Sequence, residues 1–488
     1  MNELVHTTQT TLTAALPRRH ENRVAVEDGA VIAEGRHDSR GVDEASNLLV
    51  RLFCGYAGCV AVRLWDGTSL NLGRNVEFPA NVPPSFTLVF RNPQVVSLLV
   101  LGHDRLRLAD AYFRGDMHIE GDFFAALGLK DHLDTIHLSL PDRARALWAA
   151  LRLRMLGGTP ADNGRETISL EAGFVKVHSK RENREAIHFH YDVSNNFYAL
   201  WLDDAMVYSC AYFEQSNVTL EQAQWAKLDH ICHKLMLKWG DSFLDVGCGW
   251  GALIIHAAQH YGVHAHGITL SQQQLELART RISKAGLEDR VTVELRDYRD
   301  LEGECVYDKV ASVGMFEHVG LKNLPVYFET IHRLLKPSGL FLNHGITHDV
   351  EGWEKTSSTE FINRYVFPDG QLDTVSNIQR RMEAARFEIA DVEALRPHYA
   401  LTLRHWVSRL EAHHAQALNY VNESTYRVWR LYMAACALEF ESGEIGVYQV
   451  LGCKRGVGAA ALPLSRRHLY PAINNRARDG ADERIRRI

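Results

Sequence analysis

The stretch Phe243-Leu244-Asp245-Val246-Gly247-Cys248-Gly249-Trp250-Gly251 constrains the fold of this chain more than any other. A short apolar run ends in an aspartate, and three glycines at alternate positions lead into a helical pattern over residues 252–260. Glycines so placed let a strand turn sharply into a helix and let backbone N–H groups approach a ligand closely. A dinucleotide fingerprint reads G-x-G-x-x-G, whereas the spacing here is D-x-G-x-G-x-G. The plain alternative is a strand–helix turn that holds nothing.

The sequence around this unit repeats its pattern. A helical stretch at 225–239 precedes it; strands at 264–270, 291–295, 309–313 and 340–344 follow, with helices at 271–285 and 324–335. Such alternation at βαβ spacing predicts an α/β fold with a doubly wound, mostly parallel, Rossmann-like sheet. Ligands of such sheets sit beyond the carboxyl ends of the strands, at the switch in strand order.

Upstream, residues 1–45 carry little periodic hydrophobicity and read as a loosely ordered extension. Residues 46–157 read as a smaller α+β domain with a connecting helix. Short apolar runs at 60–64 and 86–90 alternate with the turn signals Asp66-Gly67 and Asn92-Pro93. In the helix at 142–156, Arg143, Arg145, Arg152 and Arg154 fall on two faces at about 100° per residue, so a packed connecting helix is expected rather than a membrane-surface one. Residues 158–170 are rich in breakers and read as a linker, 171–465 as the larger domain, and 466–488, with seven arginines against three acids, as a basic tail.

Composition narrows the function classes. With 488 residues, 46% hydrophobic and 23% charged, the chain can bury two or more cores. A net charge of −6 supplies no positive field for nucleic acid, so none is expected as a partner. The apolar run at 48–65 is broken by Arg51 and Arg63 and falls short of a span of about 20 residues. The polar, threonine-rich start lacks the features of a signal peptide. Eight cysteines without a C-x-x-C pair read as reduced thiols, and the cytoplasm is the expected compartment.

The strand ends carry the candidate chemistry. Glu317 and His318 follow the strand at 309–313, and His344 ends the strand at 340–344. A carboxylate and an imidazole converging there suit acid–base work, a metal site or a structural pair. A metal held by Glu317, His318, His344 and His348 is not expected, because sequence neighbours point apart. The aromatic runs at 188–192, 195–198 and 208–212 suit either core packing or the wall of an apolar ligand cavity.

The D-x-G-x-G-x-G spacing is the usual signature of methyltransferases that use S-adenosylmethionine (SAM). The ordered set HYDVSNNFY, MVYSCAYF, LDVGCGWG, GITLSQQQ, DYRDL, SVGMFEHVG, INRYVFPDG and RPHYALTLRHW resembles the cyclopropane-fatty-acyl-phospholipid synthase family over residues 188–450. ADAYFRGDMHIEGDF resembles that family's amino-terminal lipid-binding domain.

The resemblance implies SAM contacts at Tyr208, Ser209, Asp245, Gly247, Cys248, Gly249, Gly251, Thr269, Leu270, Ser271, Gln274, Tyr298 and Arg299. It implies that Cys210, Glu317, His344, Ile346 and Tyr399 hold a bicarbonate ion beside the transferred methyl. Thr269 stands where many methyltransferases carry an acid for the ribose, so the ribose partner is open. The implied reaction converts the cis double bond of a phospholipid acyl chain into a cyclopropane ring. The implied partner is a membrane phospholipid with unsaturated chains, met in transient peripheral contact, and a homodimer is compatible with the family. A related SAM methyltransferase making methyl-branched or methylene fatty acids or methylating an amine, and a non-catalytic lipid-binding protein, are the competing readings.

Overall fold

A computed structural model describes residues 25–27, 30–33, 41–73, 84–101, 105–136, 138–156, 193–350, 357–366, 371–456 and 462–469. The expected linker at 158–170, the aromatic run at 188–192 and nearly all of the tail lie outside these residues. Contacts divide the chain into two compact units. The first is Met1–His103 with Asp116–Ala161, and the second is Asp104–Gly115 with Asp162–Ile488.

The first unit holds a six-stranded sheet of β1 (Ala25–Glu27), β2 (Ala30–Ala33), β3 (Val60–Arg63), β4 (Ser69–Leu72), β5 (Phe86–Phe90) and β6 (Met117–Gly121), in the order β1-β2-β4-β3-β5-β6. All neighbours are antiparallel except β3 and β5. The period-2 pattern does its work in β5, where Phe86, Leu88 and Phe90 are buried. Asp66-Gly67 is a turn as its residues suggest: Gly67 has φ 93° and Asp66 Oδ1 accepts the Thr68 N–H at 2.9 Å. Asn92-Pro93 instead starts a helix, Pro93–Leu101, with the Asn92 side chain accepting the Val95 N–H at 3.2 Å. Within the stretch expected to be loosely ordered, β2 pairs antiparallel with β4; its β-branched Val31 and Ile32 suit that position.

The connecting helix expected at 142–156 spans Leu140–Leu156, and it packs through a narrow face. Small Ala146 and Ala150, with Leu153, pack inward against the helices Pro93–Leu101 and Val42–Phe53. Most of the large apolar side chains face outward. The arginines do lie on two faces, and they do so because they border an apolar stripe.

The second unit is built on seven strands: β7 (Ser242–Val246), β8 (His264–Thr269), β9 (Val291–Leu295), β10 (Tyr307–Val313), β11 (Leu335–His348), β12 (Phe387–Ala394) and β13 (Ile445–Lys454). Their order is β12-β13-β11-β10-β7-β8-β9; β7 to β11 run parallel and β13 runs antiparallel to both its neighbours. The order reverses at β7 and β10, which opens a crevice over their carboxyl ends. In β11 the ladder with β10 jumps from Leu335 to Leu340, so Lys336 to Gly339 form an irregularity with Ser338 at φ 63°.

The helix expected at 225–239 is Leu220–Lys234. It begins earlier because Thr219 and Gln222 form a capping box, each side chain accepting the other's backbone N–H, and it stops where Met236 takes φ 49°. Helix Arg105–Arg114, although flanked by first-unit sequence, packs in the second unit against Glu423–Ser442. There the Arg427 guanidinium donates to the Tyr112 carbonyl at 2.8 Å, and Arg430 donates to the Tyr112 hydroxyl at 3.3 Å. Much of the aromatic run is core: Phe197, Tyr198 and Trp201 are buried in a cluster with Trp406 and Trp429.

Candidate active site

The glycine loop is the hinge of the site. Gly247, Gly249 and Gly251 all take left-handed backbone angles, φ 86°, 53° and 85°, which other residues adopt only with strain. Both Gly247 and Cys248 donate their N–H groups to the Ile268 carbonyl, at 3.0 and 2.9 Å, which pins the loop to β8. A Cβ on Gly249 would meet nothing within 4 Å, because that side of the loop faces open space.

That space is a cavity of about 130 Å³ over the ends of β7, β8 and β10. Tyr208, Ser209, Asp245, Gly247, Cys248, Gly249, Thr269, Leu270, Gln274 and Tyr298 line it as expected cofactor residues. Gly251, Ser271 and Arg299 do not line it. Ser271 caps the helix Gln272–Lys284, accepting the Gln274 N–H at 3.3 Å. Arg299 is spent on a two-pronged pair with Asp297, at 2.8 and 2.6 Å. Asp297 itself borders the cavity. Thr269 donates its hydroxyl to Gln274 Oε1 at 2.7 Å, fixing which way that amide points.

Two buried charges meet at this cavity. Asp245, at the end of β7, is pushed up to about 7 by burial, with Lys227 opposing the shift, and its Oδ1 has no partner. Lys227 was not anticipated from the sequence. Its ammonium is brought down to about 8 by burial and donates to Ser209 Oγ at 2.9 Å. An orphaned carboxylate oxygen over a left-handed glycine loop suits a ligand carrying an ammonium or hydroxyl group.

A second cavity of about 370 Å³ shares Tyr208, Ser209, Gly314 and His318 with the first. All five residues expected to hold the small anion line it: Cys210, Glu317, His344, Ile346 and Tyr399. Glu317 sits in the short Phe316–His318 turn, and its Oε1 accepts the Ile346 N–H at 2.7 Å. That N–H, expected to face the anion, is therefore engaged by Glu317. The approach depends on Gly345, where a Cβ would lie 2.0 Å from the Phe316 ring and 2.9 Å from Glu317 Oε1.

Burial pushes the Glu317 carboxyl up to about 7, and its Oε2 is buried without a partner. His344 is held well below the usual histidine range, first by burial and then by the Lys227 and Lys234 cations, so its ring is neutral. Gln449 Nε2 donates to His344 Nδ1 at 3.1 Å, which leaves the proton on Nε2. Nε2 is also buried without a partner. Burial keeps the Cys210 thiol and the Tyr399 hydroxyl protonated, and the thiol donates its proton to the Ala211 carbonyl at 3.3 Å. The cavity thus presents one carboxylate acceptor and two neutral donors, the His344 Nε2–H and the Tyr399 hydroxyl, a set that fits a small oxyanion bearing one hydroxyl.

Gln449 is the residue sequence reasoning missed here. It lies on β13 directly opposite His344 of β11 on one side and Glu393 of β12 on the other, so the three share one face of the sheet. Glu393 accepts from His230 at 2.7 Å and pairs with the buried Lys234 at 2.5 Å; burial opposes its ionisation, but these partners hold it at about 2. Among the described residues, no group of three or more His, Cys, Asp or Glu side chains is arranged to hold a metal ion.

Residues 178–450 match the family described as mycolic acid cyclopropane synthetase. A probable fatty acid methyltransferase of Pseudomonas putida is 41% identical over 413 residues, covering 84% of this chain and 95% of the relative. The cyclopropane-fatty-acyl-phospholipid synthase of Escherichia coli K12 is 41% identical over 270 residues, 55% of this chain and 67% of that protein. Among solved structures, the Mycobacterium tuberculosis cyclopropane synthase MmaA2 superposes with a TM-score of 0.53 at 33% identity, over 56% of this chain and 98% of that one. Mycolic acid cyclopropane synthase CmaA1, complexed with SAH and CTAB, gives 0.53 at 34% identity, over 56% and 98%.

Proposed function

This chain belongs to the mycolic acid cyclopropane synthetase family, and from that membership we propose that it is a SAM-dependent methyltransferase that cyclopropanates the cis double bond of phospholipid acyl chains. One observation carries the choice of reaction. Glu317 Oε2 and His344 Nε2 are buried without partners in a largely apolar cavity that shares a wall with the glycine-loop cavity. Buried polar groups are normally satisfied, so this pair marks a place built for a small polar ligand.

The solved relative bound to SAH, a cofactor product, and to the long-chain CTAB supports placing the cofactor in the first cavity and an acyl chain in the second. SAM supplies an activated methyl on sulfur. The π electrons of the alkene attack that carbon, the C–S bond breaks, and a carbocation forms on the acyl chain. Tyr208 and Phe440 give the second cavity aromatic wall, and its mainly apolar lining disfavours the water that would trap the cation. Ring closure needs one proton removed from the new methyl. Bicarbonate, held there, supplies the base. His344 Nε2–H and the Tyr399 hydroxyl donate to that anion, the Cys210 thiol joins them by turning from the Ala211 carbonyl, and ionised Glu317 accepts its hydroxyl proton in a hydrogen bond.

A second reading is favoured by the name of the relative that spans most of this chain, a probable fatty acid methyltransferase. In that reaction the same cation is quenched by a hydride donor and a methyl branch results. Mass spectrometry of phospholipid acyl chains after incubation with SAM separates the two. Gain of one CH2 with loss of the double bond supports cyclopropanation. Gain of CH2 and two hydrogens, in the presence of a hydride donor, overturns it in favour of branching.

A further inference from the structure

We propose that the solvent-facing side of helix Leu140–Leu156 docks the protein on an anionic phospholipid bilayer. The inference rests on the reading that the substrate is a membrane phospholipid, and names the surface that reaches it. Leu140 is 83% exposed, Trp148 67% and Met155 83%, and Leu147 and Leu151 are also exposed. At about 100° per residue, these five and Ala144 occupy one arc of about 100°. The helix buries the opposite side, through Ala146, Ala150 and Leu153.

Arginines border the stripe along both edges. By the same spacing Arg143 and Arg154 lie on one edge and Arg145 and Arg152 on the other. The Arg152 guanidinium lies 5.9 Å over the Trp148 ring and 3.0 Å from Glu44, and Arg145 lies 3.5 Å from Asp142, so both are held at the rim. Among the other described residues exposed large apolar side chains stand scattered, whereas here five fall on one face of a single helix.

Charge decides the occupant. A second copy of this helix, packed face to face, would bring its four rim arginines, two on each edge, against the four of the first. A plane of lipid phosphates complements both rims at once. The long arginine stems reach outward past the apolar stripe, Trp148 suits the headgroup level, and Leu147, Leu151 and Met155 enter the acyl boundary. The helix would lie in the plane of the interface.

The test is co-flotation of the full-length protein with vesicles of dimyristoylphosphatidylglycerol, whose saturated chains offer no double bond. Binding is thereby read apart from chemistry, and failure of the cyclopropanation reading leaves this result intact. Trp148→Ser with Leu151→Ser should weaken partitioning at least tenfold, and Arg143→Gln with Arg154→Gln about thirtyfold, the scale of two surface cations at an anionic membrane. Wild-type binding should fall sharply on dimyristoylphosphatidylcholine and in high salt. Methyl transfer to a dispersed unsaturated substrate should persist in both variants, showing them folded. Unchanged flotation of either variant, equal binding to the two lipids, or sedimentation showing that the wild type is a dimer which Trp148→Ser with Leu151→Ser dissociates while flotation stays intact would overturn the proposal.

Discussion

Glu317 Oε1 accepts the Ile346 N–H at 2.7 Å, tying the turn after β10 to β11 two residues beyond His344. One oxygen is thereby fixed on the backbone, and the other is left in the cavity beside the neutral His344 ring. The carboxyl is poised near neutrality because burial disfavours its charge, with the Ile346 N–H only partly offsetting this.

That poise gives opposite pH signatures in activity and stability. The ionised form is the one that accepts a hydrogen bond, so kcat/KM should fall as pH drops below about 7, the value to which burial raises Glu317. Glu317→Gln should lose this limb and reduce turnover about 10²-fold or more, the scale of positioned acid–base catalysis. For stability, a folded value raised from 4.5 to about 7 means the native state binds more protons than the unfolded one. Stability from this group is therefore present at low pH and lost as pH rises through that window. In ligand-free protein Glu317→Gln should raise stability at pH 8, by on the order of 2 kcal/mol, and the gain should vanish near pH 4. Equal melting temperatures at pH 8 would refute the burial account.

Gln449 is predicted to act through His344 rather than on substrate. Its amide donates to Nδ1 and keeps the proton on Nε2, where the cavity needs a donor. Gln449→Leu should lower kcat about tenfold with little change in KM. Gln449→Glu should move the ring proton to Nδ1, a shift that ring-nitrogen NMR reads directly. A residue of merely structural importance would alter neither the tautomer nor the KM-against-kcat split, and a Gln449→Leu enzyme with its tautomer unchanged would exclude the role.

The loop glycines should matter for cofactor binding more than for folding. Gly249 borders open cavity space at φ 53°, so Gly249→Val adds a branched side chain where the ligand belongs and forces a left-handed angle costing about 1–2 kcal/mol. Calorimetry should find SAM binding lost while the cooperative melt survives. Retained affinity in a folded variant would remove the loop from the cofactor site.

Much of this was legible because motif and geometry share a cause. The strands β7 to β10 and the residues at their carboxyl ends follow from apolar runs punctuated by glycine, with Asp245 near the end of β7 and Glu317 in the turn after β10, where a doubly wound sheet puts ligands. His344, expected to end its strand, instead lies within β11, which runs on to His348, and reaches the site because it pairs with Val313 at the end of β10. Gln449 was illegible because its role comes from lateral register across β11, β13 and β12, which no local pattern encodes. Lys227 reads as one more polar residue on a helix until tertiary packing brings it beside Ser209. Arg299 carries the motif DYRDL, yet its charge is consumed two residues away by Asp297. The outer face of Leu140–Leu156 was missed for another reason: the arginine positions alone obscured the apolar stripe between them.

The sharpest consequence concerns the cavity as a unit. Cys210, Glu317, His344 and Tyr399 converge from four separate segments on one cavity, and none is hydrogen-bonded to another in the pairs described. On the proposed mechanism they act together through the ligand they share. Groups serving one step give non-additive losses, so His344→Ala should cost roughly 10²-fold, and adding it to Glu317→Gln should cost little more than either alone. Removing dissolved carbonate from the assay should slow the wild type, and restoring it should recover the rate. The double variant should be indifferent to carbonate, since it lacks two of the groups proposed to hold the ion. Additive losses, or a wild-type rate untouched by carbonate depletion, would show that the four residues act separately and that the proton leaves by another route, even if the product proved to be a cyclopropane.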